Sequence, residues 1–270
     1  MRPVRQTTLV ASDGVELAAR RLDGVGGAVF VVVHGFNGSG LDEQVQAIVH
    51  RLAGFGDVIT VDLRGHGASG GESTVGRLEV LDLDAAIAWA RELGYTKVVT
   101  VGFSLGAAVA IRQAGLAASP HLGSAGDPEV TKPPDVVIAV SGPAFWYYRG
   151  TRVMRLVHWL IETPTGRRVL HAKGTRVAAG SWPATVPIEP VAAAGMLGPT
   201  PLLVIHGTAD RYFPLEHPRA LHRAALKGGN TDTELWVLDG IGHAEAAMDL
   251  GTIDDLAKWG LARCADSPSC

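Results

Sequence analysis

The sequence predicts an α/β fold: a mostly parallel sheet with helices on both faces, entered through an antiparallel start. Three observations carry this. Strand-like and helical patterns alternate along most of the 270 residues, as βαβ units require. The run Val98 to Val101 is β-branched and apolar without alternation, which suits a strand covered on both faces. The length allows a sizeable core and lies near the upper limit for one domain, so a single α/β domain carrying an insertion is expected.

Two strand-like runs open the chain, Arg5 to Val10 and Val15 to Leu22, joined by a turn whose Asp13-Gly14 pair favours a hairpin. Further strands are expected at Ala28 to Val33, Val58 to Asp62, Val98 to Gly102, Val136 to Ser141, Leu202 to His206 and Glu234 to Leu238. Helical patterns fall near Leu41 to Leu52, Arg77 to Leu93, Leu105 to Leu116, Glu216 to Leu226 and Ile253 to Arg263. Between Ser141 and Thr200 no strand is evident, and proline and glycine recur at Pro143, Gly150, Pro164, Gly166, Gly174, Gly180, Pro183, Pro187 and Pro190. Residues 142–199 are therefore read as an insertion into a core of residues 1–141 and 200–270. Within it Val153, Leu156, Val157, Leu160 and Ile161 follow the spacing of an amphipathic helix.

Composition narrows the function. A formal charge of −3 indicates neither a nucleic-acid partner nor an acidic disordered tail. The opening "MRPVRQTTLV" lacks the apolar run of a signal peptide, and Ala28 to Val33 is far too short to span a bilayer. A soluble cytoplasmic protein without stable membrane insertion is expected, its oligomeric state open. Cys264 and Cys270 lie near the end of the chain, read as beyond the core, and a bridge between them would close only a small loop. No Cys/His grouping has zinc spacing, so neither a metal nor another cofactor is expected.

The stretch "KVVTVGFSLGAAVAI" begins as a strand and ends as a helix, with Ser104 at the join between Gly102 and Gly106. G-x-S-x-G suits a serine raised on a sharp turn, where a flanking side chain would meet neighbouring backbone. The following helix aims free N–H groups and its positive dipole end at the same place. A serine hydroxyl needs a base near neutral pKa, and that base needs a carboxylate to fix its tautomer. In a parallel sheet such groups gather at the carboxyl ends of strands. Asp210 in "HGTADRYFP" and His243 in "DGIGHAE" both follow strands, giving Ser104, Asp210 and His243 as a candidate triad. Asp239 competes as the acid but lies too close in sequence to His243, and Asp135 precedes its strand. The Phe36 and Leu105 N–H groups are the candidate oxyanion donors. His34, His206 and His66 are read as structural, and the loop "DLRGHGASGGES" lacks a nucleotide-binding pattern.

With "HGFNG", "DLRGHGASGG", "GFSLGAA", "HGTADRYFP" and "GIGHAE" in this order, the chain resembles the α/β-hydrolase superfamily, most nearly its serine aminopeptidase S33-like and monoacylglycerol-lipase-like branch. The resemblance implies an eight-stranded core with an antiparallel second strand and a lid between the sixth and seventh strands. It also implies a serine hydrolase of a carboxylic ester or thioester, acting on a small-molecule acyl substrate through an acyl-enzyme. Peptidase, carbon–carbon hydrolase and non-catalytic binding readings stand as alternatives on the same fold. Phe145, Trp146, Tyr147 and Trp159 are candidates for the apolar wall of an acyl pocket. The stretch from Pro143 to Gly180 holds Arg149, Arg152, Arg155, Arg167, Arg168, Lys173 and Arg176 against the single acid Glu162. These cations either form a solvated face or pair with carboxylates, or else recognise an anionic substrate.

Overall fold

In the computed structural model, residues 4–131, 133–180 and 186–265 are described; Pro183 and Cys270 lie outside them. The chain opens with the hairpin β1 (Val4–Val10) and β2 (Glu16–Leu22), turning at Gly14 with φ of +86°. Alternation follows: β3 (Ala28–Val33), α1 (Glu43–Leu52), β4 (Asp57–Val61), α2 (Glu79–Glu92), β5 (Lys97–Phe103), α3 (Leu105–Ala118) and β6 (Val136–Val140). Next come α4 (Arg152–Glu162), α5 (Pro164–Ala172) and α6 (Pro190–Ala194). The chain then returns through β7 (Leu202–Gly207), α7 (Glu216–Lys227), β8 (Thr233–Leu238) and α8 (Leu250–Ala265).

All eight strands form one sheet in the order β1-β2-β4-β3-β5-β6-β7-β8. β2 runs antiparallel to both of its neighbours, and every other pairing is parallel. Alternate strand residues feed two cores. Val29, Val31 and Val33 face a layer that includes α2, α3, α6 and α7, whereas Phe30 and Val32 face one built on α1 and α8. Burial on both faces explains why the central strands read as continuous apolar runs. Among the described residues, no helix is long and apolar enough to cross a membrane.

Two expectations need correction. Cys264 is not beyond the core: α8 extends to Ala265, and Cys264 is packed into the layer under α8 with Ile253, Leu256 and Ala257. Its burial pushes the thiol up to about 11, which suits an inert core residue. The prolines after Ser141 do not all break structure. Pro164 and Pro190 stand in the first turns of α5 and α6, where the missing N–H costs nothing.

The glycine-rich loop after β4 serves as an anchor. Asp62 accepts from Arg20 and from the Gly40 and Ala68 N–H groups. The stretch after α5 docks on this loop through Arg176 N–H to Gly65 carbonyl (2.8 Å) and Ser73 N–H to Arg176 carbonyl (2.7 Å). A Cβ at Gly65 would lie 2.3 Å from the Arg176 carbonyl oxygen, so the approach depends on glycine.

Candidate active site

β5 lies near the middle of the sheet, and its carboxyl end turns sharply into α3 at Ser104. The turn is strained, since Ser104 has φ of +51°, a region that side chains rarely adopt. It is also tightly built. A Cβ at Gly102 would lie 2.3 Å from the Gly106 carbonyl oxygen, and one at Gly106 would lie 2.3 Å from that of Val33. The two glycines thus let β3, β5 and α3 approach backbone to backbone.

His243 follows β8 and Asp210 follows β7. The His243 ring is 2.9 Å from Ser104 Oγ through Nε2 and 2.7 Å from Asp210 Oδ2 through Nδ1. Asp210 is almost wholly buried at its side chain, and its other oxygen accepts the Tyr212 and Phe213 N–H groups at 2.7 and 3.1 Å. Burial alone would raise its pKa. The His243 bond and charge, with those two N–H groups, outweigh burial and hold the carboxyl below its ordinary value. Asp239 instead accepts from the Thr208 hydroxyl on the exposed surface, and Asp135 pairs with Arg91 and the Val98 N–H. The geometry therefore brings together Ser104, His243 and Asp210 and leaves both rivals outside.

The histidines read as structural occupy other places. His34 Nδ1 donates to the Gly35 carbonyl (2.8 Å) and Nε2 accepts the Leu63 N–H (3.0 Å), a pattern that requires the neutral ring. Burial, aided by His66, drives its pKa down to about 4. His206 Nε2 donates to the Phe213 carbonyl, and His66 is buried with Nδ1 at 3.0 Å from the Arg64 carbonyl oxygen.

Ser104 and His243 line a cavity of about 660 Å³. Phe36 and Leu105 line it too, and neither N–H donates to an acceptor among the described residues. All five apolar residues of the α4 stripe, from Val153 to Ile161, face this space together with Met154 and Leu170. Phe145 and Trp146 also contribute. Tyr147 and Trp159, expected beside them, do not line the cavity and are each 45% exposed. The reason for Trp159 is helical phase: it follows His158, two positions past Val157, and points off the stripe that Val157, Leu160 and Ile161 share.

Among the described residues, four of the five non-glycine residues with positive φ, Asn37, Val75, Ser104 and Ala244, line the cavity. The fifth, Ser141, accepts the Ala244 N–H at its hydroxyl. Backbone strain is thus concentrated around one space.

Several contacts were not visible in sequence. The Tyr212 ring stacks on His243 with centroids 4.0 Å apart and planes at 20°. Glu245 faces the cavity and accepts the Gly35 N–H at 2.6 Å. His217 accepts the Ala144 N–H at 3.0 Å and sits among the rings of Phe145, Tyr148 and Phe213. "GIGHAE" placed Glu245 near His243, but no spacing rule marks the residue two after a histidine. The other contacts join loops distant in sequence.

A parallel sheet with one antiparallel strand near its edge, a strained serine between β5 and α3, and an acid and histidine after the last two strands define the α/β-hydrolase architecture. The chain belongs to the Alpha/beta hydrolase family, whose sequence profile matches residues 30–250. No curated protein matches the sequence. Among solved structures it is similar to the Pyrococcus furiosus esterase Pf2001, at 21% identity over 96% of this chain and 91% of that one, with a TM-score of 0.70. It is also similar to the alpha/beta hydrolase GrgF from Penicillium sp., at 16% identity over 97% and 99% of the two chains and a TM-score of 0.72. A third similar structure is Est1E from Butyrivibrio proteoclasticus with ferulic acid bound, at 15% identity over 96% and 100% and a TM-score of 0.60. At these identities the likeness concerns the fold.

Proposed function

We propose that the chain is a serine hydrolase that cleaves a carboxylic ester or thioester through an acyl-enzyme on Ser104. The observation that carries this reading is the continuous hydrogen-bonded path from Ser104 through His243 to Asp210, opening on an apolar cavity. His243 Nε2 takes the hydroxyl proton as Ser104 Oγ attacks the acyl carbon, while Asp210 holds the proton on Nδ1 and stabilises the imidazolium. The developing oxyanion is met by the Leu105 N–H at the N-terminus of α3 and the Phe36 N–H in the loop after β3. His243 then gives its proton to the leaving alcohol or thiol. Water activated by the same ring releases the acid and restores Ser104.

The part of residues 142–199 that carries α4 and α5 acts in this reading as a lid, whereas α6 packs in the core layer beside α3 and α7. The apolar stripe of α4 provides the acyl wall together with Phe145 and Trp146, and the esterase Pf2001 and the ferulic-acid-bound Est1E, both similar in fold, lend support. The test is a fluorophosphonate probe with the wild type and Ser104→Ala, followed by nitrophenyl esters of rising chain length, an acyl-CoA and an aminoacyl anilide. Labelling at Ser104, with hydrolysis lost by roughly three or more orders of magnitude in Ser104→Ala, is expected. An unlabelled wild type, or a variant near wild-type activity on every substrate, would refute the assignment. Preference for the anilide would move the reading to a peptidase.

A further inference from the structure

We propose that Glu245 is a positioning residue, whose carboxyl group holds the Gly35–Phe36 segment against the nucleophile and so aims the Phe36 N–H at the reacting acyl oxygen. This rests on the reading of Ser104 as nucleophile. Glu245 lies two residues beyond His243, in the short helical turn Ala244–Ala247, yet its Oε1 accepts the N–H of Gly35, more than two hundred residues away, at 2.6 Å. Gly35 is enclosed between the two groups that matter. A Cβ there would stand 3.3 Å from Ser104 Cβ and 3.3 Å from Glu245 Oε1.

The orientation of the next peptide follows. The Gly35 carbonyl accepts His34 Nδ1–H at 2.8 Å and the Gly38 N–H at 3.1 Å. In a trans peptide the carbonyl and the following N–H point in opposite directions. Fixing the Gly35 carbonyl toward His34 and Gly38 therefore turns the Phe36 N–H away from them. The Gly35 N–H bond to Glu245 constrains the other side of the same residue, so both torsions of Gly35 are restrained. A glycine left without those restraints would sample far more conformations.

The position is costly enough to require an explanation. Glu245 faces a largely apolar cavity and makes no ion pair among the described residues, and burial raises its pKa. A half-buried acid in such a wall is retained at an energetic cost, whereas an acceptor for a loop N–H beside the nucleophile gives it a use. The bond also ties the histidine loop to the oxyanion loop, so the two halves of the site keep one spacing.

The experiment separates the acceptor from the charge. Glu245→Gln keeps an oxygen able to reach the Gly35 N–H, whereas Glu245→Asp keeps the charge on a side chain one methylene shorter. With a neutral nitrophenyl ester, Glu245→Asp and Glu245→Ala are expected to lower kcat about tenfold to a hundredfold with KM within about twofold, and Glu245→Gln to stay within about threefold of wild type. Inhibition by an alkyl boronic acid, which mimics the tetrahedral adduct, should weaken in step with kcat/KM. A merely structural role would lower the unfolding midpoint and leave kcat of the folded fraction alone. If Glu245→Ala does not fold, the Asp and Gln variants carry the comparison. The inference is overturned if Asp resembles wild type while Gln resembles Ala, if only KM changes, or if the loss is confined to an aminoacyl substrate, which would make Glu245 a binder of the substrate amine. Failure of the wild type to react with fluorophosphonate would overturn the Ser104 reading and this inference together. A labelled wild type with equally active Glu245 variants would overturn this inference alone.

Discussion

Replacing Asp210 by asparagine exchanges one oxygen for an NH2 group and leaves the shape of the side chain almost unchanged. The structure determines which way the amide must face. Asp210 Oδ1 accepts two backbone N–H groups, from Tyr212 at 2.7 Å and Phe213 at 3.1 Å, so an NH2 group there would set donor against donor twice. The amide oxygen therefore takes that side and the NH2 group takes the place of Oδ2, 2.7 Å from His243 Nδ1. A donor at that distance requires an unprotonated Nδ1, which moves the ring proton to Nε2, the nitrogen facing Ser104 Oγ. The ring can then no longer accept the hydroxyl proton. The charge that would stabilise the imidazolium is lost as well. Together these are expected to lower kcat about ten-thousandfold, or roughly 5 kcal/mol in the barrier. The assay is steady-state hydrolysis of a short nitrophenyl ester at pH 7, with circular dichroism to establish that the variant is folded. Asp239→Asn, which alters an exposed contact with Thr208, should stay within about twofold of wild type. An Asp210→Asn variant within tenfold of wild type, or a larger loss in Asp239→Asn, would refute the assignment of the acid.

Gly106→Ala places a methyl 2.3 Å from the Val33 carbonyl oxygen and 2.7 Å from that of His34; it should cost about 3 kcal/mol or more in urea unfolding, and a loss under about 1 kcal/mol would show that the elbow can relax. His217, driven by burial and then by His206 to about 4, is neutral in the folded chain and charges more readily when unfolded, so the stability it contributes is present above about pH 6.5 and is lost as pH falls toward 4. Glu, Asp and other groups titrate in the same interval, so the readout is a difference: His217→Asn, whose amide oxygen can still accept the Ala144 N–H, should lose up to about 3 kcal/mol less than wild type between pH 7 and 4, and parallel pH profiles would exclude the effect. Arg152→Ala and Arg155→Ala should leave KM unchanged for a carboxylate-bearing ester and for its neutral analogue, whereas Arg211→Ala should raise KM for the anionic ester alone; a selective loss in Arg152→Ala or Arg155→Ala would restore the basic helix as an anion site.

The strands and the three central site residues were legible because each follows from local pattern. A strand covered on both faces must be apolar throughout, and a serine on a sharp turn needs glycine on both sides, so β5 and its elbow announce themselves. α5 and α6 did not, since Pro164 and Pro190 were read as interruptions although proline at a first helical turn marks a beginning. Thr163 supplies the matching signal, with its hydroxyl accepting the Gly166 N–H. Cys264 was readable in principle: it lies on the helical face of Ile253, Leu256, Ala257 and Gly260, one residue beyond the expected end of the helix at Arg263. Tyr212, His217 and Glu245 were not readable in this way. Their roles arise from contacts between loops at different strand ends, which no local period encodes.

The basic stretch from Arg149 to Arg176 shows why charge pattern alone was ambiguous there. An excess of cations over one helix is compatible with an anionic ligand, yet guanidinium groups also satisfy the carbonyls left free at helix ends and in loops. Arg149 pairs with Glu162 at 2.5 Å, and Arg155 reaches the Arg149 and Gly150 carbonyls. Arg167 binds the carbonyls of Ile161 and Glu162 at the end of α4, at 3.1 and 3.0 Å. Arg176 reaches the carbonyls of Gly71 and Ser69 in the glycine-rich loop. None of the seven cations in the stretch lines the cavity. The cation that does is Arg211, beside the tyrosine that stacks on His243. Arg155, Arg167 and Arg176 thus act on the backbone: they support the turn before α4, close its end and fasten the segment after α5 to the core. Holding α4 in this way keeps its apolar stripe facing Ser104. A search for anion recognition is therefore better directed at Arg211 than at the more conspicuous cluster.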